Sequence, residues 1–205
     1  MKNNIEKIFD FLRTSERLKY TKRWKNTPSM VNKETSADHS WHLALLLIVL
    51  TEENDFKLDV HKALKMALTH DLVEAIADDT DASLIHFGIT TKKKKYEAEL
   101  KAIEEIKKML PSKSGKAMYD LWMEYEISET EESKFVKALD KIEGINHMLC
   151  ETDKCFDTPD LIAPYPRESV EKYPALKYVY QELLKRLKPE YKKHKWEWKD
   201  SYNIE

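Results

Sequence analysis

The stretch DVHKALKMALTHDLVEAIADDT, residues 59 to 80, decides how this chain folds. Val60, Ala63, Leu64, Ala67, Leu68, Leu72, Val73 and Ile76 recur at helical spacing, and Asp59 stands where it can cap the first turn. That stripe predicts one amphipathic helix over 59–77. Set into its second half and just beyond are His70, Asp71, Glu74, Asp78 and Asp79, with no lysine or arginine between Met66 and Thr80. On a continuous helix His70 and Glu74 lie one turn apart, and Asp71 shares a face with Asp78 two turns on. Carboxylates among buried apolar residues are costly unless a cation or a metal compensates them. With no lysine or arginine from Met66 to Thr80, a metal is the expected partner.

The same rhythm runs through most of the 205 residues, with helices expected near 3–18, 37–53, 91–110, 115–126, 132–149 and 174–188. Only three glycines occur and strand-like alternation is absent, so the fold class is all-α. Pro111, Pro159, Pro164, Pro166 and Pro174 mark breaks, and 157–173 reads as the one long connection. One domain over 1–205 is expected, with a motif-bearing core at about 5–150 and a C-terminal helical extension over about 151–205. Lys92 to Lys95 read as solvated surface, and the aromatic tail HKWEWKDSYNIE has no assigned role.

A formal net charge of −2 with scattered basic residues argues against nucleic acid and toward a small ligand. The longest apolar run, Leu43 to Leu50, falls far short of the roughly 20 residues a membrane span needs, so no membrane association is expected. The first residues, MKNNIEKIFDFLRTSERLKY, lack the apolar run of a signal peptide. Cys150 and Cys155, without CxxC spacing, read as ordinary thiols and suit a cytoplasmic setting.

A divalent metal needs more ligands than His70 and Asp71, and two segments can supply them. SADHSWHLALLLIVL places His39 and His42 at the start of an apolar helix, and KFVKALDKIEGINHML sets Asp140 beside the inward rhythm of Phe135, Val136, Leu139, Ile142 and Ile145. Each of these residues alone has an ordinary structural explanation; the set is what carries the signal. Imidazoles and carboxylates without thiolate form a mixed site suited to one divalent transition metal: Mn, Co, Fe, Ni or Zn.

The order His39, His70-Asp71, Asp140 on successive helices resembles the HD-domain metal-dependent phosphohydrolases, an all-α helical bundle family, and within them the YfbR-type 5′-deoxynucleotidases and their eukaryotic relatives. Four motifs carry the resemblance: KRW at 22–24, ADHS at 37–40, LTHDLVEAIADD at 68–79 and LWMEYEISETEESKFVKALDK at 121–141. It implies His39, His70, Asp71 and Asp140 as metal ligands, with His39 and Asp140 also reaching substrate, and gives His42 no special part. It implies Glu74 as the catalytic acidic group, Asp79 as a contact to the sugar, and Arg23 and Trp24 as the pair that orients the phosphate and shapes the deoxyribose pocket. Arg23 also counts as catalytic, because its planar fork matches two phosphate oxygens. Asp38 stands where many relatives carry Glu. After Asp79 the chain reads TDASLIHFG, where relatives often carry a proline-containing loop, which leaves sugar and base preference open.

The implied activity is metal-dependent hydrolysis of nucleoside 5′-monophosphates, deoxy preferred, to nucleoside and phosphate. The alternatives are a nucleoside triphosphate phosphohydrolase or phosphodiesterase on the same metal centre and, from another class, a non-catalytic nucleotide-binding scaffold. Related HD nucleotidases are often homodimers, so a homodimer is expected.

Overall fold

The computed structural model describes residues 2–151 and 157–204. Among them the regular structure is helical, with one isolated antiparallel bridge between Lys22 and Thr35. The helices are α1 (Lys2–Ser15), α2 (Ser36–Glu53), α3 (Val60–Thr69), α4 (Glu74–Ala77), α5 (Ala82–His86), α6 (Lys92–Met109), α7 (Ser112–Ile127), α8 (Glu131–Cys150), α9 (Pro159–Ile162), α10 (Arg167–Lys172) and α11 (Lys177–Lys193). Cys150 is a free, exposed thiol, and Cys155 lies outside the described residues.

α8 is the axis of the fold. Its Phe135, Val136, Leu139, Ile142, Ile145 and Met148 are buried, and they share a core with Leu43 and Leu47 of α2, Ala63 and Met66 of α3, and Tyr180, Leu183 and Leu187 of α11. A second, smaller core joins Leu72 and Val73 to Ala102, Ile103 and Ile106 of α6 and Trp122 of α7. Local signals set the helix starts. Thr35 and Asp38 form a reciprocal capping box at the head of α2, and the Asp59 carboxylate accepts from the Lys62 N–H at α3.

The helix expected over 59–77 is not continuous. α3 ends at Thr69 (φ −124°), residues His70–Val73 form a 3₁₀ turn, and α4 resumes at Glu74. The Thr69 hydroxyl donates to the Lys65 carbonyl at 2.8 Å, and His70 Nδ1 lies 3.0 Å from the Ala67 carbonyl, so side chains take up carbonyls at the break. All four residues of the turn are buried. Asp78 then takes φ +67°, exposes its carboxylate and pairs with Lys25, so it does not share a face with Asp71. Asp81 caps α5 through the Ser83 N–H and also accepts from the Asn26 N–H at 3.0 Å, tying α5 to the loop that carries Arg23 and Trp24.

The expected connection over 157–173 contains α9 and α10, whose Ile162 and Val170 join the main core. The aromatic tail folds back on α11, where Trp198 meets the buried Tyr191 edge-on at 5.1 Å.

α6 and α7 form an antiparallel pair that approaches closely at Gly115. A Cβ there would lie 2.3 Å from the Lys107 carbonyl oxygen, a backbone atom that cannot swing aside. Gly115→Ala is expected to destabilise the fold by about 2 kcal/mol through overpacking, read as a lower urea midpoint at unchanged slope.

Candidate active site

The site is built where α2, the 3₁₀ turn and α8 meet beneath the loop over 21–35. That loop is fastened to the start of α2: the Arg23 N–H donates to the Glu34 carbonyl at 3.1 Å and the Ser36 N–H to the Thr21 carbonyl at 2.9 Å. Arg23 and Trp24 are thereby brought over the helix that carries His39. Trp24 sits at φ +57°, a left-handed conformation that costs a non-glycine residue of order 1 kcal/mol. Its indole N–H is held by Glu34 Oε1 at 3.2 Å.

His39, His70, Asp71 and Asp140 converge. His39 Nε2 is 3.0 Å from Asp140 Oδ1 and 3.9 Å from Asp71 Oδ2; His70 Nε2 is 3.2 Å from Asp71 Oδ1 and 3.8 Å from Asp140 Oδ1. Because His70 Nδ1 faces the Ala67 carbonyl, its proton belongs there and the Nε2 lone pair points into the group. That Nε2 is buried without a hydrogen-bond partner, and burial pushes the His70 pKa down, keeping the ring neutral. A neutral, unpartnered imidazole nitrogen aimed at two carboxylates and a second imidazole is a donor set that fits a divalent ion. Ligating atoms of His39, His70 and Asp71 all lie within 4.8 Å of one another.

The other nitrogen of His39 is also held. Nδ1 makes a short hydrogen bond to Glu143 Oε2, and His42 Nδ1 bonds the second oxygen of Glu143 at 2.7 Å. Burial and the Arg23 charge oppose protonation of His39, yet the bonds to Asp140 and Glu143 carry its pKa up to about 10. Burial likewise opposes ionisation of Asp140, but the bond from His39 and the neighbouring imidazole hold it well below the usual carboxylate range. The Tyr125 hydroxyl donates to Asp140 Oδ2 at 2.8 Å, so both oxygens of that carboxylate are oriented.

Glu74, Asp79, Arg23 and Trp24 line a hollow of about 90 Å³ that also reaches Asp140. Burial, with Asp71 and Asp79 nearby, pushes the Glu74 pKa well up, and the Ser36 hydroxyl bonds Glu74 Oε2 at 2.5 Å. Burial raises Asp79 to about 6, and its Oδ2 has no hydrogen-bond partner. Arg23 uses Nε on Glu34 at 3.1 Å and Nη1 on Asp71 at 2.8 Å.

Four residues of this site escaped the sequence reading. Glu143 follows Asp140 by three residues on α8 and so shares its face, a signal present in the pattern. Glu34 and Tyr125 carry no such mark. Lys95 corrects the reading of Lys92 to Lys95 as solvated surface: it turns inward to pair with the buried Glu99 and lines the hollow. Arg23 and Lys95 therefore provide the cations missing from 66–80, both from distant segments.

Residues 15–160 match the HD domain family. Over 148 residues the chain is 36% identical to the 5′-deoxynucleotidase HDDC2 of Dictyostelium discoideum, a match covering 69% of this chain and 75% of that one. It is 31% identical to the human protein of the same name over 139 residues, covering 67% of this chain and 65% of its relative. Among solved structures it is similar to a "predicted metal-dependent phosphohydrolase" from Magnetospirillum magnetotacticum, with TM-score 0.69 and 25% identity over 89% of this chain and 96% of that one. A conserved hypothetical protein from Pyrococcus furiosus gives TM-score 0.67 at 28% identity, over 85% and 98% of the two chains. The chain belongs to the HD domain family, with its all-α fold.

The raised pKa of Asp79 makes the stability of the fold depend on pH. A carboxyl that holds its proton more tightly when folded adds stability below its unfolded value of 3.8 and loses it as pH rises through about 6. In metal-free protein, Asp79→Asn is expected to raise the urea midpoint over wild type at pH 8, with the difference shrinking as pH falls through about 6 and vanishing below 3.8.

Proposed function

We propose that the chain is a metal-dependent 5′-nucleotidase that hydrolyses deoxyribonucleoside 5′-monophosphates to nucleoside and phosphate. The observation that carries this reading is the unpartnered Nε2 of His70 among His39, Asp71 and Asp140, at the edge of a hollow that also exposes Glu74 and Asp79 to a ligand. The names of the curated relatives support the substrate class.

In this reading His39, His70, Asp71 and Asp140 hold one divalent ion, of the Mn, Co, Fe, Ni or Zn group. When bound, such an ion supplies Lewis-acid polarisation of the phosphoryl group and a more acidic water. Water attacks phosphorus, the bond from phosphorus to the 5′-oxygen breaks, and that oxygen leaves as the nucleoside hydroxyl. Glu74, which lines the hollow beside these ligands, is placed to take a proton from the attacking water or to deliver one to the leaving oxygen. Arg23 orients the phosphate with a charge that does not titrate. Asp79 offers its free oxygen to the 3′-hydroxyl, and Trp24 closes the small hollow against a 2′-hydroxyl, which favours deoxyribose.

The same reading takes the chain as one HD unit acting on a small nucleotide, without a nucleic-acid or membrane partner, in the cytoplasm. No described helix is long and apolar enough to cross a membrane. It is read as a homodimer because two helices carry uncovered apolar stripes, Ile5, Phe9 and Leu12 on α1 and Trp41, Leu45 and Ile48 on α2. Sedimentation is expected to give twice the 24.3 kDa chain mass, and Phe9→Glu with Leu45→Glu to give the monomer.

Phosphate release from dAMP, AMP and dATP, with Mn, Co or Mg returned to stripped protein, tests the activity. dAMP is expected to be turned over at least about tenfold better than AMP, and Trp24→Ala to narrow that gap. Glu74→Ala is expected to keep its metal and lose roughly 10²- to 10⁴-fold in kcat, whereas Asp71→Ala loses metal as well. Turnover of dATP alone would move the function to triphosphate hydrolysis.

A further inference from the structure

The hollow of about 90 Å³ has room for a phosphate and part of a sugar, so the rest of a nucleotide must lie elsewhere. Thr80, Ala82, Lys95, Asp140 and Tyr165 line both the hollow and a neighbouring cleft of about 570 Å³, and the two volumes adjoin across them. A cleft of that size is in the range that encloses a whole small molecule. Ile85 and Tyr96 line it from α5 and α6, Tyr125 and Lys141 from α7 and α8, and Leu161, Pro164 and Tyr165 from the segment that follows α8. Those last three residues fall beyond the matched residues 15–160, so this wall belongs to the C-terminal part of this chain rather than to the shared domain.

The chemistry of the wall selects a ligand. Tyr165 is half-buried against the main core, and the Lys141 ammonium stands over its ring at 4.9 Å. The other lysines of the cleft each have a carboxylate: Lys92 and Lys172 share Glu168, Lys95 has Glu99, Lys134 has Glu131 and Lys137 has Glu126. Among the described residues, Lys141 pairs with none. A fixed ring whose covering ammonium has no carboxylate of its own suits a flat ligand that can take the ammonium's place on the π face and offer it acceptor atoms. A second phosphate would meet one lysine without a carboxylate rather than a cluster of free cations, because the other five lysines of the cleft are already paired.

We propose that this cleft is the nucleobase subsite, with Tyr165 as the stacking platform and Lys141 as donor to the acceptor atoms of the base. The proposal rests on the nucleotidase reading. The cleft is larger than any base, so purines and pyrimidines both enter, and discrimination comes from stacking rather than from size.

Calorimetric titration of the manganese-loaded full chain, carrying Glu74→Gln to keep the ligand intact, with dAMP and its abasic sugar phosphate isolates the contribution of the base. The parent protein is expected to bind dAMP about tenfold tighter than the abasic compound, as one base stacked on one ring provides. Tyr165→Leu, which fills the space without a π face, is expected to erase that advantage. Tyr165→Phe should retain it, and Lys141→Met should reduce it. Equal affinity for the two ligands in the parent, or equal weakening of both in Tyr165→Leu, would overturn the proposal. Base-dependent affinity in a protein whose Glu74 form releases no phosphate would support the subsite while rejecting the nucleotidase reading.

Discussion

The buried guanidinium of Arg23, held between Glu34 and Asp71, is the contact on which the site depends. Asp71, Glu74, Asp79, Asp140 and Glu143 all lie within its electrostatic reach, and Arg23 favours the ionised form of each. Without such a cation so many acids could not be buried together. One arginine does not balance them all, and the shortfall appears as two protonated groups. His39 carries a proton well above neutrality between two carboxylates, and Glu74 keeps one it would lose in water. A divalent ion removes the same shortfall, so the charge imbalance and the donor set point to the same chemistry.

The chain satisfies this demand from separate segments. Arg23 comes from a loop before α2, Lys95 from the first turn of α6, His39 from the first turn of α2 and Asp140 from the middle of α8. Ordinary local devices fix the ligand-bearing segments: a capping box at the head of α2 for His39, a 3₁₀ turn for His70 and Asp71, and a buried face of α8 beside Asp140. The polar cluster is precise because the apolar packing behind it is dense, with Leu43, Leu47, Phe135 and Leu139 fully buried.

Most of the helices were legible in the sequence because burial imposes a 3.6-residue period wherever one face meets a core. The break at His70 was not, since Leu72, Val73 and Ile76 continue the stripe across it and only the side-chain bonds of Thr69 and His70 mark it. His39, His70, Asp71 and Asp140 could be named because they stand out against apolar surroundings in an order shared with a known family. Lys95 was misread, because a run of four lysines resembles surface when the acids opposite one of them are on the same helix and on α4. Glu34 was invisible, since a glutamate in a loop shows nothing of the four side chains it will meet, Arg23, Trp24, His39 and His147.

That glutamate has a further consequence. Its Oε1 accepts from both Arg23 Nε and Trp24 Nε1 and lies 3.9 Å from His39 Nδ1, so one carboxylate touches the recognition loop and the imidazole beneath it. Whatever moves His39 changes the field at Glu34, and whatever moves the loop changes what His39 leans on. The two halves of the site are mechanically geared, and a substitution that retunes one cannot leave the other at its original setting.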